Sequence, residues 1–226
     1  MDEIKAAFNY LRKYKMDIPV TIYLKGIKIG AVKAGGNISG ISSVYHDAIT
    51  QSLIDYFEGG GSVSGPRNRF RQACTEAFMD AFNLGWTDGG GEYPIEDDAI
   101  SWLDARVAQE LGNIDVVFEN AKQLRKDGEF DFFTWATARA DGYTSALLAI
   151  YNAAALFVKG NEMLTWQLGN TETHCNTCSK LNGKRHKASW YIANNYIPRQ
   201  PGAAMDCGGY HCDCSLTDKN GNEVTL

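Results

Sequence analysis

Five of the six cysteines, Cys175, Cys178, Cys207, Cys212 and Cys214, fall within the last 52 of 226 residues, and Cys74 alone stands upstream. A secreted disulfide scaffold spreads its cysteines along the chain and carries a leader. Here Met1-Asp2-Glu3-Ile4-Lys5 opens with two acids and no apolar core, so no secretory leader is expected. The clustering points to a metal site made in a reducing compartment. Cys74, beside Ala73 and Ala77 on an apolar-periodic stretch, reads as a small core residue.

The body upstream of the cysteines has the composition of a folded domain. Hydrophobic residues make up 44% of the chain and charged residues 22%, which excludes a disordered polymer and supplies a sizeable core. A net charge of -5 argues against a protein that coats nucleic acid with its whole surface. The most apolar run, Tyr143 to Val158, contains Asn152 and is shorter than the roughly 20 residues of a membrane span. No membrane span is expected.

Apolar spacing sorts the body into helices. Ile4, Phe8 and Leu11 precede Arg12, Lys13 and Lys15, the pattern of a short amphipathic helix ending in cations. Val20, Ile22, Leu24 and then Ile27, Ile29, Ala31 alternate about Lys25-Gly26, a β-hairpin pattern. Ile41, Tyr45, Ile49, Leu53 and Tyr56 form a helical stripe that stops at Gly59-Gly60-Gly61. A second helix, with Pro66 in its first turn, carries Phe70, Ala73, Ala77, Phe78, Ala81 and Phe82 to about Trp86. Residues 94–127 read as a broken helix or two consecutive ones, interrupted at Gly112-Asn113. A long Ala-rich helix is expected from near Asp131 to Val158, and such helices pack closely into bundles. Met163, Thr165 and Gln167 alternate with Leu164, Trp166 and Leu168, the pattern of one strand leading into the tail.

The tail carries the chemistry. Cys175-Asn176-Thr177-Cys178 sets two thiolates on one side of a tight turn, about the bite tetrahedral zinc requires. After 28 intervening residues, Cys207-Gly208-Gly209-Tyr210-His211-Cys212-Asp213-Cys214 offers further ligands, and the two glycines let the chain turn back. Four such ligands close the coordination sphere, so the Zn²⁺ site is expected to be structural. Cys175, Cys178, Cys212 and Cys214 are the first choice, Cys207 is their main competitor and His211 a substitute. Disulfides within the tail are the alternative staple. Nucleic-acid contact, if made, is expected from Lys184, Arg185 and Lys187 and from the N-terminal Arg12, Lys13 and Lys15. Residues 1–33 hold seven Lys/Arg against three Asp/Glu.

An enzyme reading finds little support. No Walker loop, dinucleotide glycine fingerprint or His-Glu-x-x-His is present. His174 and His211 adjoin cysteines, but sequence neighbours on a strand point to opposite faces. His186 with Asn194 and Asn195 matches a His-Asn-His nuclease poorly, and His46 sits on a helical stripe.

Thr171, Cys175, Cys178, Leu181, Gly183, Cys212, Cys214 and Leu216 together form the pattern T-x-x-x-C-x-x-C-x-x-L-x-G followed by C-x-C-x-L. This resembles the C-terminal module of the phage head morphogenesis family typified by protein F of phage Mu. The resemblance covers roughly residues 130–216. It departs from the common H-P-x-C-R-C ending, since Gly209 and Tyr210 stand at the His and Pro places and Asp213 at the Arg. The resemblance implies a non-enzymatic minor head protein of a tailed phage, made in the host cytoplasm and carried in the virion. Its implied partners are the portal or major capsid protein and, in some members, packaged DNA. Its implied roles are head assembly, DNA packaging or retention, and ejection. A cellular zinc-knuckle nucleic-acid-binding protein and, more weakly, a Cys/His-dependent enzyme are the rivals. The expected architecture is a mainly α protein with a small N-terminal β-hairpin. Residues 1–127 form a helical docking body, and residues 128–226 a long helix plus a Cys-rich α+β module.

Overall fold

The computed structural model describes residues 23–24, 27–28, 37–59, 63–92, 95–127, 131–170, 173–200, 202–209 and 213–225. Two short strands, β1 (Tyr23–Leu24) and β2 (Ile27–Lys28), pair antiparallel with Leu24 opposite Ile27. The remainder of the expected hairpin and the expected N-terminal helix lie outside the described residues. Helices α1 (Ile38–Glu58), α2 (Ser64–Asp88), α3 (Asp97–Asp127) and α4 (Phe132–Lys159) follow. Then come β3 (Met163–Gln167), α5 (Asn176–Leu181), β4 (Arg185–Lys187), α6 (Ala188–Ala193) and β5 (Ser215–Thr217). The protein is mainly helical, with one three-stranded antiparallel sheet in the order β4-β3-β5.

The chain divides into two compact units, and two of the three borders, at 80/81 and 145/146, fall inside helices. One unit holds Met1–Asp80 and Tyr93–Ser145, the other Ala81–Glu92 and Ala146–Leu226. The expected boundary at 127/128 therefore lies within the first unit. Apolar periodicity runs unbroken through α2 and α4, which is why spacing gave no sign of a division at 80/81 or 145/146.

In the first unit the helix stops are written locally. The Asn37 side chain accepts from the Gly40 amide at 2.8 Å and starts α1; the Gly59 amide closes it on the Asp55 carbonyl at 2.9 Å. Asp131 caps α4 by accepting from the Thr134 amide at 3.0 Å. The expected α1 stripe of Ile41, Tyr45, Ile49, Leu53 and Tyr56 is buried. Aromatic edges tie the helices together: Tyr56 meets Phe118 at 5.8 Å, and Phe70 meets Phe118 at 6.0 Å and Tyr143 at 4.9 Å. Each such pair adds about 1 kcal/mol beyond the area it buries.

Helix α3 corrects the expected break at Gly112. Leu103, Val107, Glu110, Ile114, Val117, Phe118 and Ala121 keep one buried face in phase across it. Glu110 holds that face by pairing with Arg106 at 2.8 Å, two charges buried together on one stripe. Gly112 points to solvent and a Cβ there meets nothing within 4 Å. The helix accepts its glycine at a cost of about 1 kcal/mol, less than the packing of the following turns recovers. Gly112→Ala is therefore expected to raise stability by about 0.5–1 kcal/mol, read from urea midpoints at unchanged slope.

A second prediction arises between α1 and α2. The Tyr45 hydroxyl donates to Asp80 at 2.8 Å, and Glu76 lies one turn before Asp80 with a buried carboxylate oxygen that accepts no hydrogen bond. Desolvation, with Asp80 nearby, raises Glu76 to about 7 against a partly offsetting bond from Gln72. The folded state thus binds a proton that the unfolded state releases, and stability falls as pH rises from about 4.5 to about 7. Glu76 is half-buried, so solvent screening leaves about 1 kcal/mol of this coupling. Glu76→Gln is expected to flatten the decline of melting temperature between pH 5 and pH 8. An unchanged pH profile in that variant refutes the assignment.

The second unit packs the ends of α2 and α4 and supports the sheet. Gly85 lies so close to α4 that an added Cβ falls 2.2 Å from the Tyr151 carbonyl oxygen. Tyr151 donates to Asp88 at 2.9 Å, and Phe82 packs near Phe157 at 6.4 Å. On β3, Leu164 and Trp166 are buried while Met163 and Gln167 are exposed, as the alternation predicts. Asn152, the polar residue inside the apolar run, is fully buried and donates to the Pro198 carbonyl at 3.3 Å. Among the described residues no helix is long and apolar enough to cross a membrane.

Candidate metal centre

Three cysteine sulfurs converge in the second unit. The Sγ atoms of Cys175, Cys178 and Cys207 all lie within 4.8 Å of one another. Tetrahedral zinc with bonds of about 2.3 Å needs ligand sulfurs about 3.8 Å apart, so small thiol movements complete the grip. A disulfide needs sulfurs near 2.05 Å, and none of the five described cysteines is joined in one.

Local structure explains the convergence. Cys175 is the N-cap of α5, with extended φ and ψ, and its sulfur accepts from the Cys178 amide at 3.4 Å. The first helical turn then brings Cys178 back beside Cys175. Cys178 is buried, with the Met205 sulfur 3.9 Å away. Cys207 arrives from 29 residues beyond Cys178 on a tight turn in which the Gly208 amide bonds the Met205 carbonyl at 2.7 Å. A reciprocal clamp fixes this turn against α5. The Thr177 amide donates to Asp206 at 3.1 Å, and the Asp206 amide donates to the Thr177 hydroxyl at 3.3 Å. Gly208 and Gly209 both take positive φ, 60° and 79°, which lets the chain double back as their sequence suggested.

Electrostatics favours thiolate at Cys175. Partial burial pushes its thiol up, but hydrogen bonds from Cys178 and Cys207 outweigh that and hold it below the ordinary cysteine value. Cys74 is the opposite case: deep burial, with Glu110 near, pushes it far up and leaves it inert.

The remaining candidates fall as follows. Cys214 is buried just before β5 and is not one of the three clustered cysteines. His211 and Cys212 lie outside the described residues, as do Arg12, Lys13 and Lys15. Lys184, Arg185 and Lys187 are exposed on and beside β4. Asp213, at the place where the phage pattern has Arg, binds Arg199 at 2.6 Å and accepts from the Asn170 amide at 3.3 Å, so it pins two loops together. His46 pairs with Asp141 at 3.1 Å, and His186 stacks on Trp190 at 3.8 Å. Sequence reading missed Thr177, Asp206 and Met205. The only local sign was their position, inside Cys-x-x-Cys or immediately before Cys207.

The arrangement defines a three-cysteine cluster whose sulfurs lie close enough together to hold a metal ion. No protein-family profile, curated protein or solved structure matches the chain.

Proposed function

We propose that this chain is a minor head protein of a tailed phage whose C-terminal module is stapled by a structural Zn²⁺. The convergence of Cys175, Cys178 and Cys207 on a small sheet carries the reading, because the module resembling the phage family is the part the staple organises. Zinc fits the donor set: three thiols, with no carboxylate in the cluster among the described residues, suit a borderline-soft, tetrahedral ion. Of the other expected ligands, Cys214 is not one of the clustered cysteines, and His211 and Cys212 lie outside the described residues. The function is physical. The helices dock on the portal or inner capsid, and the stapled module holds its shape through assembly, packaging or ejection of DNA.

Deletion of the gene from the phage or prophage that carries it tests this directly. The expected result is particles that lack DNA or fail to infect, with the protein found by mass spectrometry in wild-type virions. Full infectious titre from the deletion, with the protein missing from wild-type particles, sinks the proposal. A cellular zinc-knuckle protein that binds nucleic acid is the second reading, favoured by the exposed Lys184, Arg185 and Lys187.

A further inference from the structure

The edge strand β4 combines cations and rings in a way its charge alone does not explain. Lys184, Arg185 and Lys187 are exposed, and among the described residues none has a carboxylate within ion-pair distance. Lys187 reaches only the neutral Asn161 amide oxygen, at 3.1 Å. Two other cations of this unit are neutralised, Lys159 by Glu162 and Arg199 by Asp213. A solvated charge run needs no aromatic neighbours, but this one has three.

His186, between the two strand cations, stacks on Trp190 with ring centroids 3.8 Å apart and planes 16° from parallel. The Tyr196 ring centroid lies 5.6 Å from that of Trp190 with its plane tilted by 45°, and all three rings are partly exposed. Backbone geometry holds the row. Helix α6 ends in a Schellman motif: the Tyr196 amide bonds the Tyr191 carbonyl at 2.8 Å and the Asn195 amide bonds the Ile192 carbonyl at 3.0 Å. Asn195 takes the required left-handed φ of 54°, and this reversal sets Tyr196 beside Trp190. Beneath them Tyr191 is fully buried, edge-on to both His186 at 5.8 Å and Trp190 at 5.3 Å. Its hydroxyl donates to the Lys184 carbonyl at 3.2 Å and the Leu164 carbonyl at 3.3 Å. The rings are thus braced before any ligand arrives, which lowers the ordering cost of binding.

We infer that β4 and α6 form a binding shelf for single-stranded nucleic acid, with bases stacking along His186, Trp190 and Tyr196 and phosphates held by Lys184, Arg185 and Lys187. Stacked bases expose a π face that rings recognise without regard to sequence, and unpaired cations take the backbone. A duplex hides those faces, so the shelf selects unpaired strands or frayed ends. The inference goes beyond the docking function proposed above by adding a nucleic-acid contact to it. It is measured on the purified chain, so its failure is distinct from failure of the gene-deletion test.

The test is anisotropy of fluorescein-labelled dT15 with the full chain at 50 mM salt, beside a 15-base-pair duplex, an abasic 15-mer and rU15. Expected are binding of dT15 at least tenfold tighter than duplex or abasic strand, and a log–log salt slope near -2 from about three phosphate contacts. Trp190→Ala is expected to weaken dT15 binding about 5- to 100-fold, and Trp190→Phe to keep it within about threefold. The triple variant K184E/R185E/K187E abolishes binding. A preference for rU15 or dT15 assigns the strand's sugar and supports the shelf either way. Equal binding of abasic and dT15 strands by the wild-type chain, equal binding of duplex, or no binding at all overturns the proposal, whatever the variants' stability.

Discussion

Removal of the metal with a strong chelator is expected to lower the melting temperature of the full chain by about 8–16 °C, and Cys178→Ser is expected to do the same without chelator. The physical basis is linkage. The three thiols meet only when the Thr177–Asp206 clamp and the Gly208–Gly209 reversal are formed, so binding energy at the site is folding energy. Recovering even about 4 kcal/mol of the roughly 10–16 kcal/mol typical of structural zinc gives that shift for a chain of this size. Cys178→Ser removes a buried ligand and leaves a hydroxyl against the Met205 sulfur. Cys74→Ser serves as the comparison, since it also alters a buried thiol but is expected to cost about 1–2 kcal/mol at full metal content. The check combines elemental analysis with thiol titration in guanidinium, on protein purified without reductant. About one zinc per chain, with thiols titratable only after chelation, supports the site. Absence of metal with most tail thiols consumed in disulfides contradicts it.

Acid is expected to release the same metal. Ligand thiols must be deprotonated, and the bonds that hold Cys175 below the ordinary thiol value extend retention only part of the way down. Metal content therefore falls as pH drops, with the melting temperature following it.

The α-helical body was legible because its information is local. Each stripe repeats within one helix, and the stops at Gly59 and Asp131 are single residues whose caps are the observed bonds. Gly112 misled for the same reason: a local breaker was weighed without the buried face that continues past it through Ile114 and Val117. Cys175 and Cys178 were legible because only two residues, Asn176 and Thr177, separate them. Cys207 was not ranked above Cys214, since that choice depends on a contact across 29 residues between Thr177 and Asp206. Nothing in the spacing of either segment encodes that clamp. The His186–Trp190–Tyr196 cluster was hidden likewise, because a strand, a helix and a left-handed Asn195 must each form before the three rings meet.

Gly209→Ala is expected to abolish stable metal binding although it touches no ligand. Its φ of 79° already strains an L side chain by about 1–2 kcal/mol. More decisively, the new Cβ falls 1.9 Å from the Gln200 backbone oxygen, an approach no side-chain rotation relieves. Gln200 cannot retreat cheaply: it is buried, and its amide bonds the Ile197 carbonyl at 3.2 Å. The turn must move instead, and the Gly202 amide bond to the Gly208 carbonyl at 2.9 Å moves with it. Because Cys207 sits two residues upstream, its sulfur leaves the cluster. The expected loss is at least about 3 kcal/mol, with zinc content well below one per chain. The same substitution at Gly112 has the opposite sign, so glycine removal as such cannot account for the result. Full metal content and an unchanged melting temperature in Gly209→Ala are the outcome that contradicts the turn's role. If metal is lost while the far-ultraviolet helical signal persists, the damage is confined to the Cys207 turn, and the turn rather than the helices is what the proposed zinc site depends on.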